Sequence, residues 1–452
     1  MADDRVKIDL DTICKFPDTI GDNIYGSVLS EPSRSEFGKQ LCCLNSDWGS
    51  GGCYGGKIGA WLGELSVQGK KGRPYLIEID GKKKVIKAIP SRSRWSKYRN
   101  SDVFNLKDLR TSLRQHAGGD GSAQQCIGLV EFEYQYIGMD DFANEAVVGS
   151  IVKKTFEGST MPKLFNDIEY TSICGNYGIL LMDYADLSDL CNFSKNASST
   201  LAVVAGPNRM ILPKVTATII KQVAASLDFL QDKIQFIHSD LKVQNILVSS
   251  ESARGTYKGL DISSSGFSVR IADFGNASAT MKSLNSNRPK DIRFFNEIRA
   301  TRYLPGGTAN YKLKVEDKQN CIQIELGQGK AGGNLGQCKN SYWWKLPSNF
   351  GVKVSLITAH SGMPFYRSYD YYIFMITLMM CPPFYHSIMS DARLKGRVWD
   401  SLWLGDELTK VTNEVKKYHR DDPSLGRALK VLTKFHIRCD ALPYSMELLK
   451  NY

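Results

Sequence analysis

The stretch that most constrains this chain is Phe236-Ile237-His238-Ser239-Asp240-Leu241-Lys242-Val243-Gln244-Asn245-Ile246-Leu247-Val248. A short polar segment carrying His, Asp, Lys and Asn runs straight into an apolar strand. Asp240 and Asn245 lie five positions apart across a tight loop, so both can face one small space. A carboxylate there can orient a hydroxyl and accept its proton. Lys242 can reach a phosphate. Asn245 offers a neutral oxygen to Mg²⁺, an ion that demands oxygen ligands. Downstream, Ile271-Ala272-Asp273-Phe274-Gly275 is an apolar strand ending in a second carboxylate, 33 residues (273 − 240) after the first.

Composition sets the frame. The chain has 452 residues, 42% hydrophobic and 23% charged, enough to bury a large core. Its formal net charge of +11 favours acidic or phosphorylated partners, although a solvated basic surface accounts for it equally well. Eleven cysteines are scattered without a Cys-x-x-Cys pair or a Cys/His cluster, so neither a zinc site nor a disulfide framework is expected. The N-terminal residues lack a charged-then-apolar leader, and the longest apolar run, Tyr371 to Cys381, is too short to span a bilayer. These features predict a reduced, intracellular, cytoplasmic protein without a membrane span.

Asp-Phe-Gly alone is a common tripeptide, but His-x-Asp-Leu-Lys-x-x-Asn-Ile-Leu fixes seven positions. The competing reading is a surface turn that happens to carry Asp and Asn between two strands. The two motifs in this order resemble the catalytic loop and metal motif of the eukaryotic-type protein kinase superfamily. The resemblance implies an α+β, two-lobed fold: a small β-rich N-lobe with one key helix and a larger, mainly helical C-lobe. On that basis residues 1–38 are an N-terminal extension and 39–185 the N-lobe, with a basic insertion at 91–140. Residues 186–452 are then the C-lobe, with a long insertion at about 276–362.

Several upstream segments fit this frame. Lys39 to Leu44 and Lys57 to Leu62 read as strands around Asp47-Trp48-Gly49-Ser50-Gly51-Gly52-Cys53-Tyr54-Gly55-Gly56. A glycine-rich turn lets backbone N–H groups approach phosphate oxygens without a Cβ in the way. The register is irregular; the preferred one makes Gly51, Gly52 and Gly55 the phosphate-covering residues and leaves Lys57 where the family has valine. Tyr75 to Gly81 and Lys84 to Ile89 read as a hairpin with an Asp-Gly turn. Lys87 then takes the place of the family's strand lysine, on the same strand face as Val85 and Ile89. The neighbouring Lys82, Lys83 and Lys84 make an ordinary edge-strand lysine a serious alternative.

Phe142 to Lys154 has helical spacing and supplies Glu145 as the expected partner of Lys87, with Glu131, Glu133 and Glu157 as competitors. Tyr177 to Leu190 resembles the inter-lobe connection: Met182 would limit pocket depth, and the backbone of Asp183 and Ala185 would bond the adenine edge. Asn192 to Pro213 reads as a polar loop and Val215 to Leu230 as a core helix. Ser249 to Phe267 reads as a Gly/Ser-rich hairpin before strand Ser268 to Ala272. Ser368 to Met375 resembles the family's buried helix, with Asp370 as its aspartate, 97 residues (370 − 273) past Asp273. No Ala-Pro-Glu anchor is present; Gly362-Met363-Pro364-Phe365 is its nearest echo. The tail from Arg393 reads as two or three amphipathic helices, with Val411, Val415, Leu425, Leu429, Leu432 and Phe435 as core.

The resemblance implies a Mg-ATP-dependent transfer of the γ-phosphate to serine/threonine hydroxyls of protein substrates, acidic ones fitting the basic charge. Asp240 and Lys242 would be catalytic. Asn245 and Asp273 would hold Mg²⁺. Gly51, Gly52, Gly55, Lys87, Glu145, Asp183 and Ala185 would hold ATP. Ser239 stands where the family has an arginine that binds a phosphorylated activation segment, which implies activity independent of such a phosphate. The insertions and the missing anchor look like serine/threonine kinases of large DNA viruses, which would place the protein in a host cell or virion. A catalytically weak pseudokinase scaffold and a small-molecule or lipid kinase of the same fold are the alternatives. Nucleic-acid binding has only the net charge and the arginines after Ser91 behind it, and no motif.

Overall fold

The computed structural model describes residues 40–44, 60–65, 72–90, 134–139, 141–174, 177–196, 204–205, 210–281, 291–296, 327–328, 332–334, 343–345, 364–419, 423–438 and 440–452. The glycine-rich stretch at 47–56 and most of the 91–140 segment lie outside them, so the expectations for Gly51, Gly52 and Gly55 are not addressed by the structure.

Helix and strand are mixed in an α+β arrangement. Strands β1 (Ala60–Glu64), β2 (Arg73–Ile79) and β3 (Lys82–Pro90) are followed by β4 (Tyr134–Met139) and helix α1 (Asp141–Glu157). Next come β5 (Ile168–Cys174), β6 (Tyr177–Asp183) and a short helix, α2 (Leu190–Asn196). The sheet runs β1-β2-β3-β6-β5 and is antiparallel throughout. The expected Asp-Gly turn joins β2 to β3: Asp80 and Gly81 have φ of 50° and 71°, the left-handed pair that matches the twist of a two-residue hairpin.

Period-two alternation along β3 divides two apolar clusters. Val85 and Ile89 join the large core that contains α1, whereas Ile86 and Ala88 pack with Leu41, Tyr75 and Ile77 on the other face. Lys87 therefore projects on the α1 side. Residues 40–42 form a helical turn rather than the expected strand, because Leu41 covers the outer face of the sheet instead of pairing with its edge. Beside it Cys42 is disulfide-bonded to Cys174 at the end of β5, across 132 residues of sequence. That bond departs from the expectation of scattered, unpaired thiols. It depends on a tertiary approach that cysteine spacing does not encode.

Helix α3 (Pro213–Ile234) is the axis of the remaining core. Proline in its first turn needs no N–H partner there, and Gln235 ends it in a left-handed conformation, donating back to Gln231 and Leu230 carbonyls. Strands β7 (Ile246–Ser249) and β8 (Ser268–Ile271) form an antiparallel ribbon bracketing the 249–267 hairpin. Beyond them lie β9 (Ala279–Met281) and β10 (Asp291–Asn296). β9 pairs antiparallel with β10, and β10 pairs in parallel with β4.

A further strand, β11 (Trp343–Lys345), precedes helices α4 (Pro364–Met380) and α5 (Pro382–Ser390). Four more helices complete the tail: α6 (Ala392–Val398), α7 (Glu407–Lys416), α8 (Leu425–Leu432) and α9 (Ala441–Leu449). Strand β12 (His436–Arg438) pairs antiparallel with β11. The tail thus holds more helices than its pattern suggests, and the segment expected as a loop from Asn192 begins inside α2. Val411, Val415, Leu432 and Phe435 are buried, as core residues should be. Among the described residues no single helix is long and apolar enough to cross a membrane.

Close approach fixes the seat of α1. A Cβ on Gly178 of β6 would lie 2.0 Å from the ring of Phe142, so only glycine lets the helix rest there. Gly178→Ala forces the Phe142 ring off its rotamer, and overpacking of this kind costs about 1–3 kcal/mol. Urea unfolding of the variant beside wild type measures the loss; an unchanged midpoint would contradict this seating.

Candidate active site

The site is assembled from four elements: β3, the first turns of α1, the loop between α3 and β7, and the turn after β8. Lys87 on β3 points at α1. Its Nζ donates to Glu145 Oε1 and Oε2 at 2.8 and 2.7 Å, and to Asp273 Oδ1 at 2.8 Å. Among the competing glutamates, Glu131 and Glu133 lie outside the described residues, and Glu157 is exposed at the far end of α1. The neighbouring lysines behave differently. Lys82 and Lys83 are exposed, and Lys84 turns to Glu169 and to Asp183, the latter at 3.0 Å.

Burial disfavours charge on Lys87, but Asp273 and Glu145 overcome it and hold its pKa well above the ordinary lysine value. Asp273 is affected in the opposite sense: burial opposes its ionisation, yet Lys87 keeps its carboxyl below the usual range. Glu145, almost wholly buried, is pushed up to about 7 by desolvation against the pull of Lys87.

The loop from Phe236 to Asn245 is locked from three sides. Asp370, on α4 and fully buried, accepts from the His238 and Ser239 N–H groups at 2.7 and 2.9 Å. His238 Nε2 lies 2.8 Å from the Ala272 carbonyl. Ile237 and Ser278 form a backbone bridge. Ser239 is held at φ 65°, a conformation that costs free energy for a residue with a Cβ and persists only where the surroundings impose it. Asp273 is held at φ 63° in the same region.

Within this frame Asp240 and Asn245 meet. Asn245 Nδ2 donates to the Asp240 carbonyl at 2.7 Å, which leaves Oδ1 as its acceptor end. Lys242 Nζ lies 3.0 Å from Asp240 Oδ2, while Asp240 Oδ1 is buried and has no hydrogen-bond partner among the described residues. The orphaned oxygen is the kind that a substrate hydroxyl can satisfy. Burial raises the Asp240 pKa and the nearby Asp273 charge adds to the rise, against Lys242. The β7–β8 register, Ile246 opposite Ile271, brings Asn245 and Ala272 off the ribbon together, and Ala272 N–H donates to Asn245 O at 2.9 Å. Asp240, Lys242, Asn245 and Asp273 therefore share one end of the ribbon, and Lys87 and Glu145 reach it from above.

Residues 156–295 match the family model for protein tyrosine and serine/threonine kinase. This match supports membership of the protein kinase superfamily, and with it a protein-phosphorylating transferase and an α+β kinase-like fold around the five-stranded antiparallel sheet. The family generally uses ATP and Mg²⁺ and covers tyrosine and serine/threonine acceptors alike. The matched span contains Asp240, Lys242, Asn245 and Asp273; Lys87, Glu145 and Asp370 lie outside it. No curated protein matches the chain.

At the end of β6, Asp183 N–H is engaged with the Asp167 carbonyl at 3.2 Å, and its carboxylate meets Lys84, Lys163 and Arg270. Sequence reasoning missed Asn144 and Asn296. Asn144 donates to the Phe274 and Ala277 carbonyls at 3.1 and 2.8 Å. Asn296 donates to Asp141 Oδ1 at 2.7 Å and to the Gly275 carbonyl. Asn144 had a faint signal, being adjacent to Glu145 on a helix; Asn296 had none.

Burial pushes the Asp370 carboxyl up to about 6, against His238 and the two amides it receives. Between pH 4 and pH 6 the folded chain retains a proton that the unfolded chain has released, so this group's contribution to stability falls as pH rises through that window. Asp370→Asn cannot titrate and turns a donor toward a buried N–H, which lowers stability at neutral pH by about 1–3 kcal/mol. The deficit relative to wild type should be larger at pH 4 than at pH 7, by about 2–3 kcal/mol. Chemical denaturation of both proteins at the two pH values measures it; an equal deficit at both would exclude the shifted carboxyl.

Proposed function

We propose that this chain is a serine/threonine protein kinase that transfers the γ-phosphate of Mg-ATP to protein hydroxyls. The observation that carries the reading is the meeting of Lys87 with both Glu145 and Asp273 above the loop that joins Asp240 to Asn245. Phosphoryl transfer asks little covalent chemistry of a protein and much positioning and charge neutralisation. Here an N-lobe, 39–185, contributes the sheet and α1, and a C-lobe, 186–452, contributes the loop and the β7–β8 ribbon.

The donor set suits a cation that takes most of its ligands from phosphate and water. Among the described residues no three His, Cys, Asp or Glu side chains cluster as an all-protein metal site. One carboxylate, Asp273, and one amide oxygen, Asn245 Oδ1, are the arrangement expected for Mg²⁺ on a nucleotide. Bound there, Mg²⁺ would neutralise the phosphate charge that develops during transfer. Lys87, held charged and oriented by Glu145, would bind the nucleotide phosphates. The backbone of Asp183 and Ala185 would bond the adenine edge, with Met182 behind it and Gly51, Gly52 and Gly55 over the phosphates.

Asp240 Oδ1 would accept the hydrogen bond of the acceptor hydroxyl, orienting it in line, and would receive its proton. Lys242 would release its contact with Asp240 Oδ2 in part to neutralise the group in transit. Lys242 also favours serine and threonine acceptors, since tyrosine-specific relatives use a different residue there. Ser239 offers no cation to a phosphorylated segment, so the loop depends instead on Asp370 for its shape.

Purified protein incubated with labelled ATP, Mg²⁺ and both acidic and basic proteins should label serine or threonine. Removing one charge-placing group commonly costs ~10²–10³ in rate, and Asp240→Asn and Asp273→Asn should each fall by that amount. Equal labelling by all three proteins would rule out these carboxylates; label confined to small molecules or lipid would move the acceptor class. Pre-treatment of the wild type with a protein phosphatase should leave its rate unchanged, and loss of activity on that treatment would contradict the reading of Ser239.

A further inference from the structure

Helix α1 must be held for Glu145 to stay on Lys87, and the chain beyond Asp273 supplies the hold. After the Phe274–Asn276 turn the chain forms β9, then β10, and β10 runs in parallel beside β4, the strand that feeds α1. The register places Asn296 opposite Met139, two residues before α1 begins at Asp141. A parallel pairing needs a long connection rather than a hairpin, so this contact joins segments far apart in sequence.

Asn296 is 4% exposed and sits between two acceptors. Its Nδ2 donates to Asp141 Oδ1 at 2.7 Å and to the carbonyl of Gly275. Asn144 makes the complementary link from the helix side, donating to the carbonyls of Phe274 and Ala277. Asp141, Asn144 and Glu145 lie at i, i+3 and i+4, so they share one face of the first turn. The approach is close: a Cβ on Gly275 would lie 3.4 Å from Glu145 Oε2 and 3.5 Å from Asp273 Oδ1. Two amide side chains thus tie the first turn of α1 to the turn that carries Asp273.

We infer that Asn296 is a positioning residue that hangs the first turn of α1 on the Asp273-Phe274-Gly275 turn and so keeps Glu145 against Lys87. It does not touch the reacting groups; it acts through Asp141 and Gly275. The assignment rests on the kinase reading for its catalytic consequence, but not for its geometry.

Asn296→Asp keeps the shape, removes the Nδ2 donor and sets a carboxylate against Asp141. Asn296→Ala is the milder variant. Asn296→Ala should lower kcat by about tenfold, the effect of one well-placed hydrogen bond, and Asn296→Asp by more, with the KM for the protein substrate little changed in both. In a Glu145→Gln background Asn296→Asp should add little further loss, because the residue it positions is already gone. Full multiplication of the two losses would show a role not routed through Glu145, and wild-type kcat in both Asn296 variants would overturn the inference.

Amide hydrogen exchange reads the same variants without any activity. Exchange should quicken across Asp141–Glu157 and stay unchanged across Pro213–Ile234. If α1 is unaffected, the latch is wrong even in an active enzyme. If the wild type transfers no phosphate, the kinase reading fails, and exchange alone decides the latch.

Discussion

A single, largely buried ammonium group holds the two halves of the site together. Lys87 comes from the middle of a sheet, Glu145 from a helix and Asp273 from the turn after β8, and Lys87 meets both carboxylates within hydrogen-bond distance. Glu145 is almost wholly buried and Lys87 largely so, and neither charge would be well tolerated there alone. An ionised side chain removed from water costs several kcal/mol, recovered only when partners and geometry are good. The consequence is coupling: the sheet, α1 and the β8 turn cannot shift independently without uncovering a charge. The pKa directions record the same constraint, with Lys87 pushed up and Asp273 pulled down by each other.

The neighbouring loop solves a different problem. Two consecutive backbone N–H groups, His238 and Ser239, face the interior, where water cannot satisfy them. Asp370 accepts both, and in doing so joins a helix buried from Ser368 to Met380 to the segment carrying Asp240. The left-handed backbone at Ser239 is maintained by these contacts rather than by local preference, since the residue carries a Cβ. Strain at such positions requires a rigid surround, and α4 provides one, with residues from Tyr371 to Met380 buried.

How much of this was legible in sequence depended on whether the information was local. The Asp80-Gly81 hairpin, the alternation that sends Lys87 toward α1 and the approach of Asp240 to Asn245 all follow from neighbours in the chain. Asp370 was legible from its helix, although 97 residues separate it from Asp273. What was illegible required two remote segments at once. Leu41 looked like part of a strand because its apolar neighbours allow one; only the outer face of the sheet, formed by Tyr75, Ile77 and Ile86, makes a helical turn the better cover. The Cys42–Cys174 bond and the β4–β10 pairing are of the same kind. No periodicity reports a parallel pairing between segments more than 150 residues apart (291 − 134 = 157).

The placement of Asn296 bears on how such a site can be kept assembled. A charged latch beside Asp141, Glu145 and Asp273 would enter the same balance of ion pairs that sets Lys87, and would compete for it. A neutral amide avoids this: it donates hydrogen bonds without adding net charge. Its second acceptor is a backbone carbonyl, which no change of pH can remove. Under the proposed function, Lys87 and Asp273 would exchange some contact with each other for contact with phosphate and cation while α1 stays in place. Separating the groups that must rearrange from the groups that must not is a requirement of any preorganised site. In this chain the division falls between the carboxylates and lysines on one side and Asn144 and Asn296 on the other.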